Sequence, residues 1–157
     1  MTMLFPVAVA LAVFPAISVG SSQSHSTLAS LRHDYRPLLV FGSPQSEQAH
    51  AQEKLLADHV SELKERQVVV VPISAHEQDA TGWKTLPQED VVQLESGEDA
   101  AARRRFHVGE AEFVVILIGK DGGEKLRSQT PVTIARLIKV IDAMPMRQKE
   151  ARDGHTG

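Results

Sequence analysis

Cysteine does not occur in this sequence. Its absence rules out disulfides, a thiolate nucleophile, cysteine-ligated zinc and iron–sulfur clusters. Aromatic residues are scarce: one Trp, one Tyr and five Phe leave little on which to stack bases. Basic charge is not in excess either. The formal net charge is -3, whereas nucleic-acid binding requires a basic face, so no nucleic-acid partner is expected. The composition is otherwise that of a folded protein, with 42% hydrophobic and 24% charged residues among 157. That is about one domain, long enough to hold a core without covalent staples.

Charge is also missing from one end. No Lys, Arg, Asp or Glu precedes Arg32, and Met3 to Val19 is almost wholly apolar. A run this short and this early is a poor membrane span and reads as the h-region of a signal peptide, with Ala16-Ile17-Ser18 or Ser18-Val19-Gly20 as the cleavage box. The n-region, Met1-Thr2-Met3, carries no Lys or Arg, which speaks against that reading and keeps an uncleaved anchor as the alternative. The expected organisation is a signal peptide over 1–20, a flexible polar arm over 21–30, a folded domain over 31–150 and a disordered tail over 151–157. The expected location is periplasmic or secreted, with no stable membrane anchor after cleavage.

Apolar runs and turn residues divide the domain. Pro37-Leu38-Leu39-Val40-Phe41 followed by Gly42 predicts a buried strand. Ser43 and Pro44 suit an N-cap and first helical position, opening a helix to about Arg66. Leu56, Val60 and Leu63 would line its inner face, with Glu47, Glu53 and Lys64 left to solvent. Val68-Val69-Val70-Val71-Pro72 predicts a strand at a sheet edge, since proline cannot donate to a ladder. Ala75 to Glu95 shows no clean period and reads as a long connection, with a short hairpin around Gly82. Ser96 to Asp99 resembles a capping box for a helix through Phe106. Phe113 to Gly119 is apolar on both faces and should be central. Asp121-Gly122 signals a tight hairpin, returning as an antiparallel edge through Lys125-Leu126-Arg127. Thr130-Pro131 starts the last helix, with Ile134, Leu137, Ile138 and Ile141 on one face, and Pro145 ends it. The expected fold class is α/β and thioredoxin-like: a four-stranded mixed sheet in the order 2-1-3-4, flanked by helices.

Four segments carry a recognisable pattern. Leu28 to Arg32, Arg36 to Phe41, Gly119 to Ser128 (GKDGGEKLRS) and Ile141 to Gln148 (IDAMPMRQ) together resemble domain-of-unknown-function family 4174, over about Leu28 to Arg152. The resemblance implies a peroxiredoxin/thioredoxin-like fold and an exported setting, as in secreted sushi-repeat proteins; it supplies no reaction. In thioredoxin-like proteins the redox pair sits where the first strand hands over to the first helix. Here that place reads Gly42-Ser43-Pro44-Gln45-Ser46. The cis-proline expected before the third strand is missing too, from Val108 to Glu112. Thiol–disulfide exchange is therefore closed to this chain unaided.

The remaining residues suggest few sites. The seven histidines show no metal spacing: His76-Glu77 lacks a second histidine, and His50 and His59 fall on opposite sides of a helix of about 3.6 residues per turn. Met144 and Met146 suit gap-filling better than a copper site. Arg103-Arg104-Arg105 reads as a solvated helix end complementing the dipole, with a patch for an acidic partner as the alternative, and Asp142 and Arg147 as an ion pair. No catalytic residue, metal or cofactor is expected. The candidate ligand-binding residues are Ser43, Ser46, Arg36, Lys120, Asp121 and Arg127. Ser43 and Ser46 stand where the resemblance puts a site and where free first-turn amides favour an anion, although Arg36 enters at the opposite end of its strand. Two functions stay open. The first is a non-catalytic module binding an envelope protein, a glycan or a small anionic ligand. The second is an envelope enzyme that uses Arg36, Lys120, Asp121 and Arg127 without thiol chemistry.

Overall fold

A computed structural model describes residues 26–75, 83 and 85–154. The strands are β1 (Arg36–Phe41), β2 (Val68–Ile73), β3 (Val114–Ile118) and β4 (Glu124–Ser128). The helices are α1 (Glu47–Ala57), α2 (Val60–Glu65), α3 (Glu98–Phe106), α4 (Ile134–Asp142) and α5 (Pro145–Asp153). The sheet order is β2-β1-β3-β4. β1 runs parallel to β2 and antiparallel to β3, and β3 is antiparallel to β4, as the apolar runs and the Asp121-Gly122 turn imply.

The period-2 alternation of strand side chains divides the core between the sheet faces. Leu38, Val40, Val68, Val70, Val115 and Leu117 share one cluster with Leu56 of α1, Leu63 of α2 and Leu137 and Ile141 of α4. Leu39, Phe41, Val69, Val71, Val114 and Ile116 share the other with Ala102 and Phe106 of α3. The product is a three-layer α/β/α arrangement. Pro72 falls on edge strand β2. Its neighbour two positions back, Val70, turns its carbonyl outward to the Val92 N–H (2.8 Å). Residues two apart share a direction, so Pro72 lacks its donor on the side away from β1.

Several expected boundaries move. The helix expected from Pro44 to Arg66 is two helices interrupted at Asp58-His59, and the cap is Ser46, whose Oγ accepts from the Ala49 N–H (3.2 Å). Ser43 instead donates to the Gln45 side-chain oxygen (2.6 Å). The pattern Leu56, Val60, Leu63 tolerates the interruption, which is why it did not betray it. Glu53 is buried, accepting from the Thr85 N–H (2.7 Å), not left to solvent. α3 starts after Gly97, whose φ of 85° a glycine adopts without strain, one residue later than a Ser96 cap requires. α4 starts after Thr133 because Val132 is pinned to Gln52 and Ser128 turns back onto Thr130.

Pro145 does follow the end of its expected helix, α4, at Asp142, but that helix is not the last. Pro145 occupies the first position of α5, where its missing N–H is harmless. The disordered tail expected from 151 is helical through Asp153, and the arm expected over 21–30 is docked from Ser26 onward, its N–H bonded to the Gln93 carbonyl (3.0 Å). The leader, residues 21–25, His76, Gly82 with its expected hairpin, and the last three residues lie outside the described residues. Among the described residues no helix is long and apolar enough to cross a membrane.

Candidate functional site

Two opposite ends of β1 hold the polar candidates. At its C-terminal end the chain leaves the sheet through Gly42, at φ 146°, where a Cβ would come within 3.2 Å of the Phe113 ring. Ser43 and Ser46 follow, one hydroxyl held by Gln45 and the other capping α1. Behind them stands Arg103, which is buried rather than part of a solvated helix end. It donates to the carbonyls of Gly109 (2.6 Å) and Ile73 (3.1 Å), and its guanidinium lies 5.6 Å from the Phe41 ring centroid. Burial lowers its pKa. Arg103 thus ties the end of β2 to the α3–β3 connection.

Arg36 and Lys120 lie at the other end, roughly 20 Å from Ser43 at about 3.3 Å per strand residue. Arg36 is 1% exposed. It donates to the Arg66 carbonyl (2.8 Å) and to both carboxylate oxygens of Glu150 (3.2 and 3.1 Å). Lys120 reaches the same carboxylate (2.7 Å) and the side-chain oxygen of Gln67. Burial pushes the Glu150 carboxyl up, but the Lys120 hydrogen bond and the Arg36 charge outweigh it and hold the pKa below the ordinary glutamate value. Arg66 binds Asp142 through two nitrogens (2.9 and 3.0 Å), and Arg147 bridges Glu65 (2.7 Å) and Asp142 (3.6 Å). The expected Asp142–Arg147 pair is thus present within a larger network fastening α4 and α5 beneath the sheet.

Asp121 and Arg127 belong to the β3–β4 hairpin. Asp121 accepts from Lys125 (2.6 Å) and from the Gly123 N–H (3.0 Å), and the Lys125 hydrogen bond leads in lowering its pKa. Arg127 pairs with Glu124 (2.8 Å) and donates to the Phe106 carbonyl (3.0 Å). The six candidate residues therefore do not converge. Ser43 and Ser46 stand at one end, Arg36 and Lys120 share one carboxylate at the other, and Asp121 and Arg127 are tied within the hairpin. Among the described residues no group of three His, Asp or Glu side chains could hold a metal ion.

One cavity, of about 350 Å³, opens beside the hairpin at the Arg36 end. Its lining draws on two segments far apart in sequence: Leu28, Ala29 and Arg32 from one, Ile118, Gly119, Asp121, Gly122 and Gly123 from the other, with Pro37, Arg105 and Phe106 between them. Of the hairpin glycines, Gly122 is required by its backbone, whereas Gly119 faces only movable side-chain ends. A Cβ at Gly119 would fall 2.5 Å from Lys125 Cε and 2.6 Å from Asp121 Oδ1, and one at Gly122, where φ is 82°, would fall 3.2 Å from Arg32 Nε. Arg32 and Arg105 were missed as candidates because only the folded chain brings them together; a lone exposed arginine has no local signature.

The fold defined by this sheet and these layers is thioredoxin-like, and solved structures share it. A thioredoxin peroxidase I of Plasmodium yoelii superposes with a TM-score of 0.58 at 17% identity, covering 78% of this chain and 79% of its own. A secreted Mycobacterium tuberculosis disulfide oxidoreductase homologous to Escherichia coli DsbE gives 0.52 at 17% identity, over 74% of this chain and 86% of its own. The M. tuberculosis protein DsbF gives 0.54 at 14%, over 73% and 83%. At such identities the likeness establishes the fold alone. No curated protein matches the sequence significantly. Residues 27–150 match the family described as a domain of unknown function (DUF4174), and the chain belongs to that family.

Proposed function

We propose that this protein is an exported, non-catalytic thioredoxin-like module that binds a ligand or partner in the cell envelope. One observation carries the reading: each of the six polar residues singled out from the sequence is already engaged within the fold. The redox position holds two serines, one capping a helix and one bound to Gln45. Lys120, Asp121, Arg127 and Arg36 are all committed to ion pairs. A general acid or base needs a group free to reach substrate with a pKa near the working pH. Asp121 and Glu150 are instead held low by their cations. The partners that suit the reading are an envelope protein, a glycan or a small anionic ligand; an enzyme working through these polar groups is the competing reading.

Two measurements test it. The purified protein should show no thiol-dependent peroxidase or disulfide reductase activity, because the thiolate is the required nucleophile, and such activity surviving rigorous purification would overturn this account; turnover in a substrate screen that is lost with Asp121→Ala favours the enzyme. The export component is checked by intact mass. Chain recovered from the envelope fraction should lack Met1 to about Gly20, and a full-length chain in the soluble envelope fraction would exclude cleavage.

A further inference from the structure

The cavity beside the β3–β4 hairpin is lined by two arginines that face it without an acidic partner. The Arg32 guanidinium lies against Gly122 and has no hydrogen-bond or ion-pair partner among the described residues. The Arg105 guanidinium lies over the Phe106 ring, 5.0 Å from its centroid, and makes only a long 3.5 Å contact to the Gly122 carbonyl. Both side chains are exposed. The lining carboxylate, Asp121, does not cancel them, since its charge is met by Lys125 and its second oxygen by the Gly123 N–H. Elsewhere Arg36, Arg66, Arg127 and Arg147 all hold carboxylates.

Leu28, Pro37, Phe106 and Ile118 supply an apolar wall, while the hairpin glycines complete a lining that is about as polar as it is apolar. An apolar body with a few convergent polar groups is the ordinary make-up of a small-molecule pocket, and about 350 Å³ lies at the small end of the usual range of about 300–1,000 Å³. Guanidinium forks match planar oxyanions.

We propose that this pocket binds a small organic oxyanion, a carboxylate or phosphate on a flat apolar body, with the anion between Arg32 and Arg105 and the body against Phe106, Ile118 and Pro37. This rests on reading the chain as a binding module and gives that module a ligand class and a place. The place is the end of the sheet opposite Gly42 to Ser46. The two distant motifs meet here: Arg32 of the first lies on Gly122 of the second, where a φ of 82° favours glycine and leaves the guanidinium its close approach.

The test is a titration of the full chain, followed by backbone amide and arginine Nε–H shifts, with four probes: benzoate, phenyl phosphate, inorganic phosphate and benzyl alcohol. Benzoate or phenyl phosphate should shift residues 119–123 and the Nε–H signals of Arg32 and Arg105, the tighter of the two identifying the oxyanion. Arg32→Ala should weaken binding at least tenfold while the thermal midpoint holds, since the side chain is exposed. Arg32→Lys, which keeps charge but loses the fork, should fall between. Equal binding of benzyl alcohol or of inorganic phosphate, unchanged binding in Arg32→Ala, or no shift at the hairpin overturns the proposal. Shifts centred on residues 43–47 overturn the placement but leave a binding module. Turnover of a probe overturns the module reading itself.

Discussion

Glu150→Gln is expected to cost about 3 kcal/mol of stability, toward the low end of the roughly 3–5 kcal/mol seen when one partner of a buried ion pair is removed. Glu150 keeps 27% exposure, but the cations it serves do not: Arg36 is 1% exposed and Lys120 8%. Glutamine preserves size and one acceptor oxygen, so the loss reports charge left uncompensated, not a cavity. Arg36 is already strained for partners, its Nε being buried and unbonded. At this size the thermal midpoint should fall by roughly 10 °C. Glu89→Gln, which removes one exposed partner of Lys64, should leave it essentially unchanged. Urea unfolding of the two variants makes the comparison, and a loss below about 1 kcal/mol for Glu150→Gln would show that α5 is not fastened this way.

The same carboxylate sets an acid limit. Its pKa is lower in the folded chain than the unfolded value of about 4.3, so the folded state binds fewer protons there. Its contribution is complete above the unfolded value and is lost as pH falls through the lower folded one. Asp142, lowered chiefly by its Arg66 hydrogen bond, acts in the same sense and window. The protein should lose stability with acid below about pH 4, and Glu150→Gln should show a shallower acid limb.

What the sequence made legible follows how far each signal reaches along the chain. The strands at 36–41, 68–73 and 114–118 announce themselves through continuous apolar runs, and the placement of Pro72 at an edge follows from one missing N–H. The hairpin is legible because a turn needs particular residues within four positions. Helix starts were less so, since Ser43, Ser96 and Thr130 are as suitable by type as the true caps Ser46, Gly97 and Thr133. Tertiary contacts decide between such neighbours, as Val132 pinned by Gln52 decides for α4. The polar sites were least legible of all. Arg36 at the head of an apolar strand demands a counter-charge, but nothing nearby names Glu150, and Arg103 looks like its two neighbours until Ile73 and Gly109 offer their carbonyls.

Gln52→Leu is expected to lower stability by about 2–4 kcal/mol, although leucine is a better apolar fit to the face of α1 that carries Ala49 and Leu56. Gln52 is fully buried and acts as a short strand of its own. Its Oε1 accepts from the Val132 N–H (2.6 Å) and its Nε2 donates to the Val132 carbonyl (3.2 Å). Val132 is 1% exposed, so water cannot replace either bond. Leucine leaves two buried backbone groups unpaired, each costing about 1–3 kcal/mol, against a modest gain from added apolar contact. The effect should be local before it is global. Val132 immediately precedes Thr133, the cap that accepts from the Arg136 N–H (3.4 Å), so releasing it loosens the entry to α4 and leaves the β1–β3 ladder intact. Hydrogen exchange separates these: the Val132 amide should lose protection far more than the amides of Leu38 to Phe41. Unchanged protection at Val132, or a stability loss below about 1 kcal/mol, would mean that this segment is held by α4 packing alone and that Gln52 is only filling space.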